Sequence, residues 1–600
     1  MRRTTPIALL LVCSLLTTLG AALCVPPATH AQGPRAERQA QGKLTQELRA
    51  RFRRALPGSG ERTRVILSLS DDAAAARMRV ALQAAGANVR RELSALGVMV
   101  ADVPVDKLED LAAQAEVSWL SEDGEVRSLA TPDNTSHIEV TTGANQVLPS
   151  GNSAQADGGA GNGIGIAVLD SGISPSDAAE FAGYRWQSGL LGLTSTLEPY
   201  DRLKKSIDFT GEGRTDDPYG HGTHTAGVAA GTGQSSESYA AEHPGAATYG
   251  GIATGANLIN VRVLNGQGVG TVSNVIAGLN WVIQNRVALN IRVVNLSLGA
   301  PITQSYKTDP LCQAVGRAVD AGLVVVVAAG NWGKDSNGST IYGGILSPAN
   351  SPKAITVGAT NTQQTDRRSD DVVTTYSSRG PTLVDGLVKP DLVAPGNRIG
   401  AAQTANSATS SGGSTSASSD GGGLIGGLLG TLSLGGSSTP SADGTYQILS
   451  GTSFAAPAVS GTVALMLEAN PSLTPGIVKA ILMRTAQRLP VYEAMVMRGQ
   501  MTPFERIITE GAGQLNANAA RRVASAIRHD ADTAKPGENL LLNKKVTYST
   551  INGLTSPIAG ESVALNNGVL WVEGVAFNER MQLTSGYRLT NGQVIYDGFA

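Results

Sequence analysis

Ile166-Ala167-Val168-Leu169-Asp170-Ser171-Gly172 is an apolar run that ends on a carboxylate and then a glycine. A run of this length without polar alternation predicts a strand buried on both faces, with Asp170 at its carboxyl end and Gly172 turning the chain. Comparable runs lie at 258–263, 293–298, 323–328 and 354–357, the first strand itself spanning 164–169. Helical patterns separate them, at 221–230, 272–284 and 311–321. Short apolar strands alternating with helices predict an α/β fold, a parallel sheet with helices on both faces. In such sheets chemistry collects where strands end and helices begin. A lone Asp at a strand end is more often a structural cap, so Asp170 carries weight only alongside other residues.

Two more segments meet that description. Gly220-His221-Gly222-Thr223-His224-Thr225-Ala226-Gly227 surrounds two histidines with small residues, which leaves a ring accessible and lets backbone approach it. Histidines three apart could bind zinc, but the Glu and third ligand of a zincin are missing. Gly451-Thr452-Ser453-Phe454-Ala455-Ala456-Pro457 places a serine at the start of a helix, where free N–H groups and the helix dipole favour a developing oxyanion. No G-x-S-x-G surrounds Ser453, which argues against an α/β-hydrolase esterase. The letters G-x-G-x-x-G at 421–426 sit in low-complexity sequence without a strand before or a helix after, and carry no nucleotide-binding reading.

Upstream, Met1-Arg2-Arg3, a short apolar run and the small residues before Ala31 read as a secretory signal peptide over 1–31. The run is too interrupted for a membrane-spanning helix, and Leu23 before Cys24 speaks against lipidation. Removing it leaves Cys312 as the one mature cysteine, so no intramolecular disulfide is expected. Residues 32–62 read as a basic, solvated linker. From 63 to 130 the order β-α-β-β-α-β predicts a small ferredoxin-like α+β domain. A Ser/Asp/Asn/Gly-rich stretch, 131–160, reads as linker and processing region before the larger unit at 161–528. Residues 400–444 interrupt that unit as a Gly/Ser-rich insertion, and 529–600 form a β-rich C-terminal extension without a legible motif.

Composition supports a mostly globular chain. Of 600 residues 41% are hydrophobic, enough for a large core, while 47 basic against 49 acidic side chains give a net charge of −2. That balance excludes the basic surface of a nucleic-acid binder. The 72 Gly and 27 Pro make about a sixth of the chain, below the roughly 25–30% of wholesale disorder.

In order, type and wording, the three segments resemble the Asp, His and Ser blocks of the subtilisin-like (subtilase) serine proteases. Val325-Val326-Val327-Ala328-Ala329-Gly330-Asn331 is similar to the family's oxyanion-hole block, and Val293 to Gly299 to its strand along the peptide cleft. Ser377-Ser378-Arg379-Gly380-Pro381 and 389–396 extend the likeness, which spans about 160–525; Phe454 departs from the methionine common beside the serine. The resemblance implies a subtilisin-like sheet and a secreted endopeptidase acting through Asp170, His221 and Ser453. It implies Asn331 in the oxyanion hole, and Gly268, Gly270, Ser297, Leu298 and Gly299 as edges that pair with an extended substrate. His224 is expected to pack, and Trp332 to sit near the rim of the primary pocket. With no acidic residue placed to select Lys or Arg, a broad, apolar-leaning specificity is expected. The 63–130 domain is similar to the family's inhibitory propeptide, so autocleavage is expected between Leu129 and His137. No cofactor is required for the chemistry; structural calcium is suggested by the family, with only Glu237 and Glu242 offered in 232–248. The expected partners are a protein or peptide substrate and the propeptide, for a monomer outside the cell membrane, in the medium, the periplasm or at the cell surface. The rivals are a binding protein on the same fold and an esterase using the same residues.

Overall fold

The computed structural model describes residues 43–44, 46–55, 60–70, 74–93, 98–122, 137–148, 160–188, 195–404, 439–441, 444–533, 540–541 and five short strands between 555 and 584. The signal-peptide reading at 1–31, the stretch 129–136, the letters at 421–426 and the patch at 592–596 fall outside the described residues. The chain divides into two compact units, Met1–Ser128 and Leu129–Ala600.

The first unit runs α1 (Gln46–Arg54), β1 (Arg62–Leu69), α2 (Ala74–Ala84), β2 (Asn88–Leu93), β3 (Val98–Pro104), α3 (Leu108–Ala112) and β4 (Val117–Glu122). Its antiparallel sheet has the order β2-β3-β1-β4, the ferredoxin-like arrangement. Period-two alternation explains why: in β1, Thr63, Val65 and Leu67 are buried while Arg62 and Arg64 face water. Met78 and Leu82 of α2 and Leu108 and Leu111 of α3 complete the core with Val65 and Leu67. The stretch expected as a basic linker differs: it contains α1, and Leu44 and Leu48 are 0% exposed in that same core. Leu48 and the partly buried Phe52, four apart, give the helix one apolar face, which the surrounding arginines mask in composition.

The second unit begins earlier than expected. Helix α4 (His137–Thr142) lies within the presumed linker, and its Ile138 belongs to the main core. Its sheet strands are β5 (Gly165–Asp170), β8 (Leu203–Asp208), β9 (Asn257–Arg262), β10 (Ile291–Leu296), β11 (Val324–Ala328), β12 (Ile355–Asn361), β13 (Val372–Val373) and β14 (Leu392–Pro395). A separate hairpin, β6 (Ala182–Ser188) and β7 (Ser195–Asp201), precedes β8. The order is β13-β12-β11-β10-β5-β9-β8, with β14 on β12; every pair but β12–β13 is parallel. Alternate residues of each strand enter opposite cores. Ile166 and Val168 join one cluster with α5 (His221–Ala230) and the long α9 (Thr452–Ala469). Ala167 and Leu169 join the other with α7 (Val272–Asn285) and α8 (Pro310–Asp320). Burial on both faces is why these strands read as continuous apolar runs. From β5 the chain builds β8 and β9 on one side, then crosses to β10 on the other, so Asp170 ends the strand at the switch of direction, where α/β sheets open a crevice.

A small sheet, β15 (Ile399–Ala402), β16 (Thr439–Pro440) and β17 (Tyr446–Leu449), takes in both ends of the segment read as an insertion. The C-terminal extension starts attached to this unit: Leu540 and Leu541 lie in its core, and the hairpin Thr555–Ile558/Glu561–Ala564 buries Ile558. Glu561 accepts hydrogen bonds from the Arg368 N–H (2.8 Å) and the Ser369 hydroxyl (2.7 Å).

Candidate active site

Strand β5 ends at Asp170 and helix α5 begins at His221, and both side chains are buried, 1% and 4% exposed. The His221 Nδ1 is 2.7 Å from Asp170 Oδ1, which also accepts the Ser171 N–H at 2.7 Å. A proton on Nδ1, donated to the carboxylate, leaves Nε2 as the imidazole's free acceptor. Two glycines permit the approach. A Cβ on Gly222 would sit 2.2 Å from the Gly172 carbonyl, and Gly172 itself has φ 125° with Asp216 O equally close. Small residues around His221 are therefore needed for the strand end and the helix to meet.

The far end of α5 is closed by tertiary partners. The carbonyl of Gly227 takes the Gly231 N–H, Val228 and Ala229 take the N–H groups of Ile252 and Ala253, and Ala230 takes the guanidinium of Arg202 at 2.8 Å. These are the carbonyls a helix cannot satisfy by itself.

Ser453 opens α9 behind the cap Gly451 and is 7% exposed. Its hydroxyl donates to Ser297 O at 3.3 Å, so meeting His221 requires it to turn from that carbonyl. Ser297, just past β10, reciprocates: its Oγ donates to Ser453 O at 2.6 Å. That carbonyl is available because the residue four ahead is Pro457, which has no N–H to close the helical bond. The Asn295 amide donates to Ser297 Oγ (2.9 Å) and the Ser460 hydroxyl to Asn295 Oδ1 (2.8 Å), which ties β10 to α9.

Asn331 follows β11. Its Oδ1 accepts the Thr452 N–H (3.0 Å) and hydroxyl (2.8 Å). A backbone N–H can only donate, so the oxygen of the amide is assigned and its NH₂ group stays available beside Gly451. Gly268, at φ 74°, lies against the Tyr219 ring, where a Cβ would come within 2.6 Å; that ring is 6.3 Å from the His221 ring. A Cβ on Gly270 would meet Val263 O at 2.4 Å, and one on Gly299 would meet the Leu346 side chain at 3.0 Å. Leu298 is 6% exposed, and the adjacent Ala300 exchanges backbone bonds with Ser347. Trp332 is half-buried, with its N–H on Ser378 Oγ.

Charge and burial separate the two histidines. Burial pushes the His221 pKa down, but the charge and hydrogen bond of Asp170, helped by the charge of Asp217, outweigh it and the net shift is upward. Burial drives His224 down to about 3. Its Nε2 lies 3.1 Å from both Ile399 O and Gln447 O, so it is a neutral Nε2–H tautomer packed edge-on to Phe454 at 4.4 Å. Phe454 also contacts the His221 ring, 5.3 Å between centroids.

Glu237 and Glu242, the carboxylates offered for calcium, lie on a helix, α6 (Gln234–Glu242). Among the described residues no group of three or more His, Cys, Asp or Glu side chains gathers as a metal-binding cluster. Sequence reasoning missed Asp217, Thr452 as the partner of Asn331, and Arg202. An Asp four residues before a helix-opening histidine was the one available signal, since short acidic side chains hold helix starts.

Comparison with known proteins shows the family. Residues 161–502 match the model of the "Subtilase family", and 49–120 match that of the "Putative peptidase inhibitor domain". The chain is 36% identical over 331 residues to the serine protease AprX of Bacillus subtilis (strain 168), across 54% of this chain and 61% of that protein. It is 32% identical to the extracellular serine proteinase of Thermus sp. (strain Rt41A), over 65% of this chain and 71% of that one. It is 33% identical to subtilisin-like protease 2 of Pseudogymnoascus destructans, over 56% and 68%. The family-model match alone covers more than half of the chain, from the strand that carries Asp170 through the helix that carries Ser453. This chain belongs to the subtilase family of serine peptidases.

Proposed function

We propose that the chain is a secreted serine endopeptidase, made as an autoprocessed zymogen, that hydrolyses peptide bonds through an acyl-enzyme on Ser453. The observation that carries the reading is the buried Asp170–His221 pair at 2.7 Å, at the carboxyl edge of a parallel sheet. An extended peptide pairs with the edges at 268–270 and 297–299. The Ser453 hydroxyl turns from Ser297 O, gives its proton to His221 Nε2, and its oxygen bonds to the scissile carbonyl carbon. Asp170 holds the Nδ1–H and stabilises the imidazolium. The oxyanion is met by the NH₂ group of Asn331 and the Ser453 N–H. His221 passes its proton to the departing amine as the C–N bond breaks. Water then repeats the sequence, giving its proton to His221 and its oxygen to the acyl carbon, and Ser453 recovers its hydrogen.

The edge segments 268–270 and 297–299 contain no Asp or Glu to select Lys or Arg, which supports a broad, apolar-leaning specificity. The inhibitor-type domain supports a propeptide that blocks its own enzyme until cleavage between 129 and 137. Export is supported by the leader-like first residues and by the Thermus relative, which is named as extracellular. Among the described residues no helix is long and apolar enough to cross a membrane.

The test compares residues 32–600 with the Ser453→Ala form, following mass and N-terminal sequence over hours. Wild type should trim itself near 129–137 and take up a fluorophosphonate probe, while the variant stays whole and unlabelled. Two intact, unlabelled proteins would leave only a binding role on this fold.

A further inference from the structure

Asp217, four residues ahead of His221, is 1% exposed and spends its hydrogen bonds on the walls of the site. Its Oδ1 accepts the Ser171 hydroxyl and the Gly220 N–H, both at 2.8 Å. Its Oδ2 accepts the Thr223 N–H at 2.7 Å. Gly220 and Thr223 lie on either side of His221, so one carboxylate grips the entry and the first turn of α5. Through Ser171 it reaches the other half of the pair. The Ser171 N–H donates to Asp170 Oδ1 (2.7 Å), and Ser171 Oγ accepts the Gly222 N–H (3.0 Å). Burial raises the Asp217 carboxyl above its ordinary value, and the donors of Thr223, Ser171 and Gly220 act against that rise; partners that are all donors suit the carboxylate anion.

Other groups around the imidazole do not duplicate this role. Asp170 is the direct partner, while Tyr219, Phe454 and the neutral His224 offer rings. From β9, Arg262 donates its Nε–H to Ser171 O (2.9 Å), but its guanidinium is paired with Asp208 and Glu212. Asp217 is therefore a second buried anion at the histidine, outside the set that transfers protons.

We propose that Asp217 is a positioning residue for the proton transfer: it fixes Asp170 and His221 relative to each other through Ser171 and the first turn of α5, and its charge stabilises the imidazolium formed during turnover. This rests on the catalytic reading above and adds to it a fixed relay behind the pair. An Asn at 217 would keep one acceptor oxygen and turn an NH₂ group toward a donor, losing both the charge and part of the grip. Burial opposes the charged His221 ring, while Asp170 first and the charge of Asp217 after it favour that ring.

The experiment uses the autoprocessed product of residues 32–600, with Asp217→Asn and Ser171→Ala, and measures kcat, KM and the pH profile of kcat/KM on a peptide substrate. Asp217→Asn should lower kcat on the order of 100-fold with KM little changed, and move the acid limb to lower pH, because the imidazolium has lost an anion. Ser171→Ala, which keeps the charge and breaks the bridge, should lower kcat about five- to tenfold with the limb in its wild-type place. An Asp217→Asn enzyme with the wild-type limb, or with wild-type kcat, overturns the proposal. Should Asp217→Asn fail to fold, a Ser171→Ala enzyme with unchanged kcat, or with a limb moved to lower pH, overturns it. Wild type that takes up no fluorophosphonate would fail the catalytic reading itself, and that is seen before either variant is made.

Discussion

Replacing Arg202 with Met should shorten the lifetime of the folded enzyme without touching its chemistry. The guanidinium is fully buried and donates to four carbonyls, those of Ala182, Ala256, Glu180 and Ala230. Burial lowers its pKa only to about 10, so it remains a cation at neutral pH. Methionine fills much of the same space with no donor. Glu180 O keeps the Thr232 N–H at 3.0 Å, which leaves three carbonyls to lose the bond described here. At about 1 kcal/mol for each buried acceptor left short, the loss is roughly 3 kcal/mol. If that loss falls on the unfolding step, the unfolding rate rises roughly 150-fold. The assay is intrinsic-fluorescence unfolding of enzyme inactivated with a sulfonyl fluoride, so that autolysis does not contribute. Arg202→Lys, which keeps the charge but not the fork, should fall between the two. An Arg202→Met rate within about threefold of wild type, under roughly 0.7 kcal/mol, would refute the idea that this cation closes α5.

Three further outcomes can be measured, on uninhibited enzyme and its variants. Asn331→Ala should lower kcat by about 10²–10³ with little change in KM, as active-site titration and steady-state kinetics would reveal; a loss confined to KM would remove Asn331 from the oxyanion site. The acid limb of kcat/KM should lie above the ordinary histidine value of 6.5, since Asp170 and Asp217 favour the charged ring that cannot act as base. The same shift has the opposite sign for stability: it stabilises the fold in full below about pH 6.5 and fades as pH rises through the folded value. A His221→Ala variant should therefore lose most stability relative to wild type at low pH, which thermal melts between acid and neutral pH would check.

The parts of the fold that sequence reveals are those whose burial repeats locally. Strands β5, β9, β10 and β11 sit between two helical layers, so their apolar runs announce them within a residue or two, while β12 begins as expected but runs four residues further, to Asn361. Helix α1 was masked because four of its nine residues are arginines and only Leu48 and Phe52, four apart, mark its inner face. Helix α4 is one and a half turns in a stretch rich in turn formers, stabilised by tertiary packing of Ile138 rather than by propensity. Asp170, His221 and Ser453 were legible because each stands at the end of an element in small-residue surroundings. Asp217 and Arg202 were not, because a charged residue reads as solvated unless its partners are known: the Asp217 link to Ser171 spans 46 residues and the Arg202 partners lie up to 54 away.

The exchange between Ser297 and Ser453 has a further consequence. Each donates its hydroxyl to the other's carbonyl, so the strand edge proposed to hold the peptide and the residue proposed to attack it share one fastening. Pro457 makes that fastening available by leaving the Ser453 carbonyl out of the helix ladder. Grip and reactivity are therefore not independent traits in this enzyme. A variant selected for a different substrate through position 297 inherits a displaced nucleophile, and routes to new specificity that keep turnover must run through side chains further along the cleft.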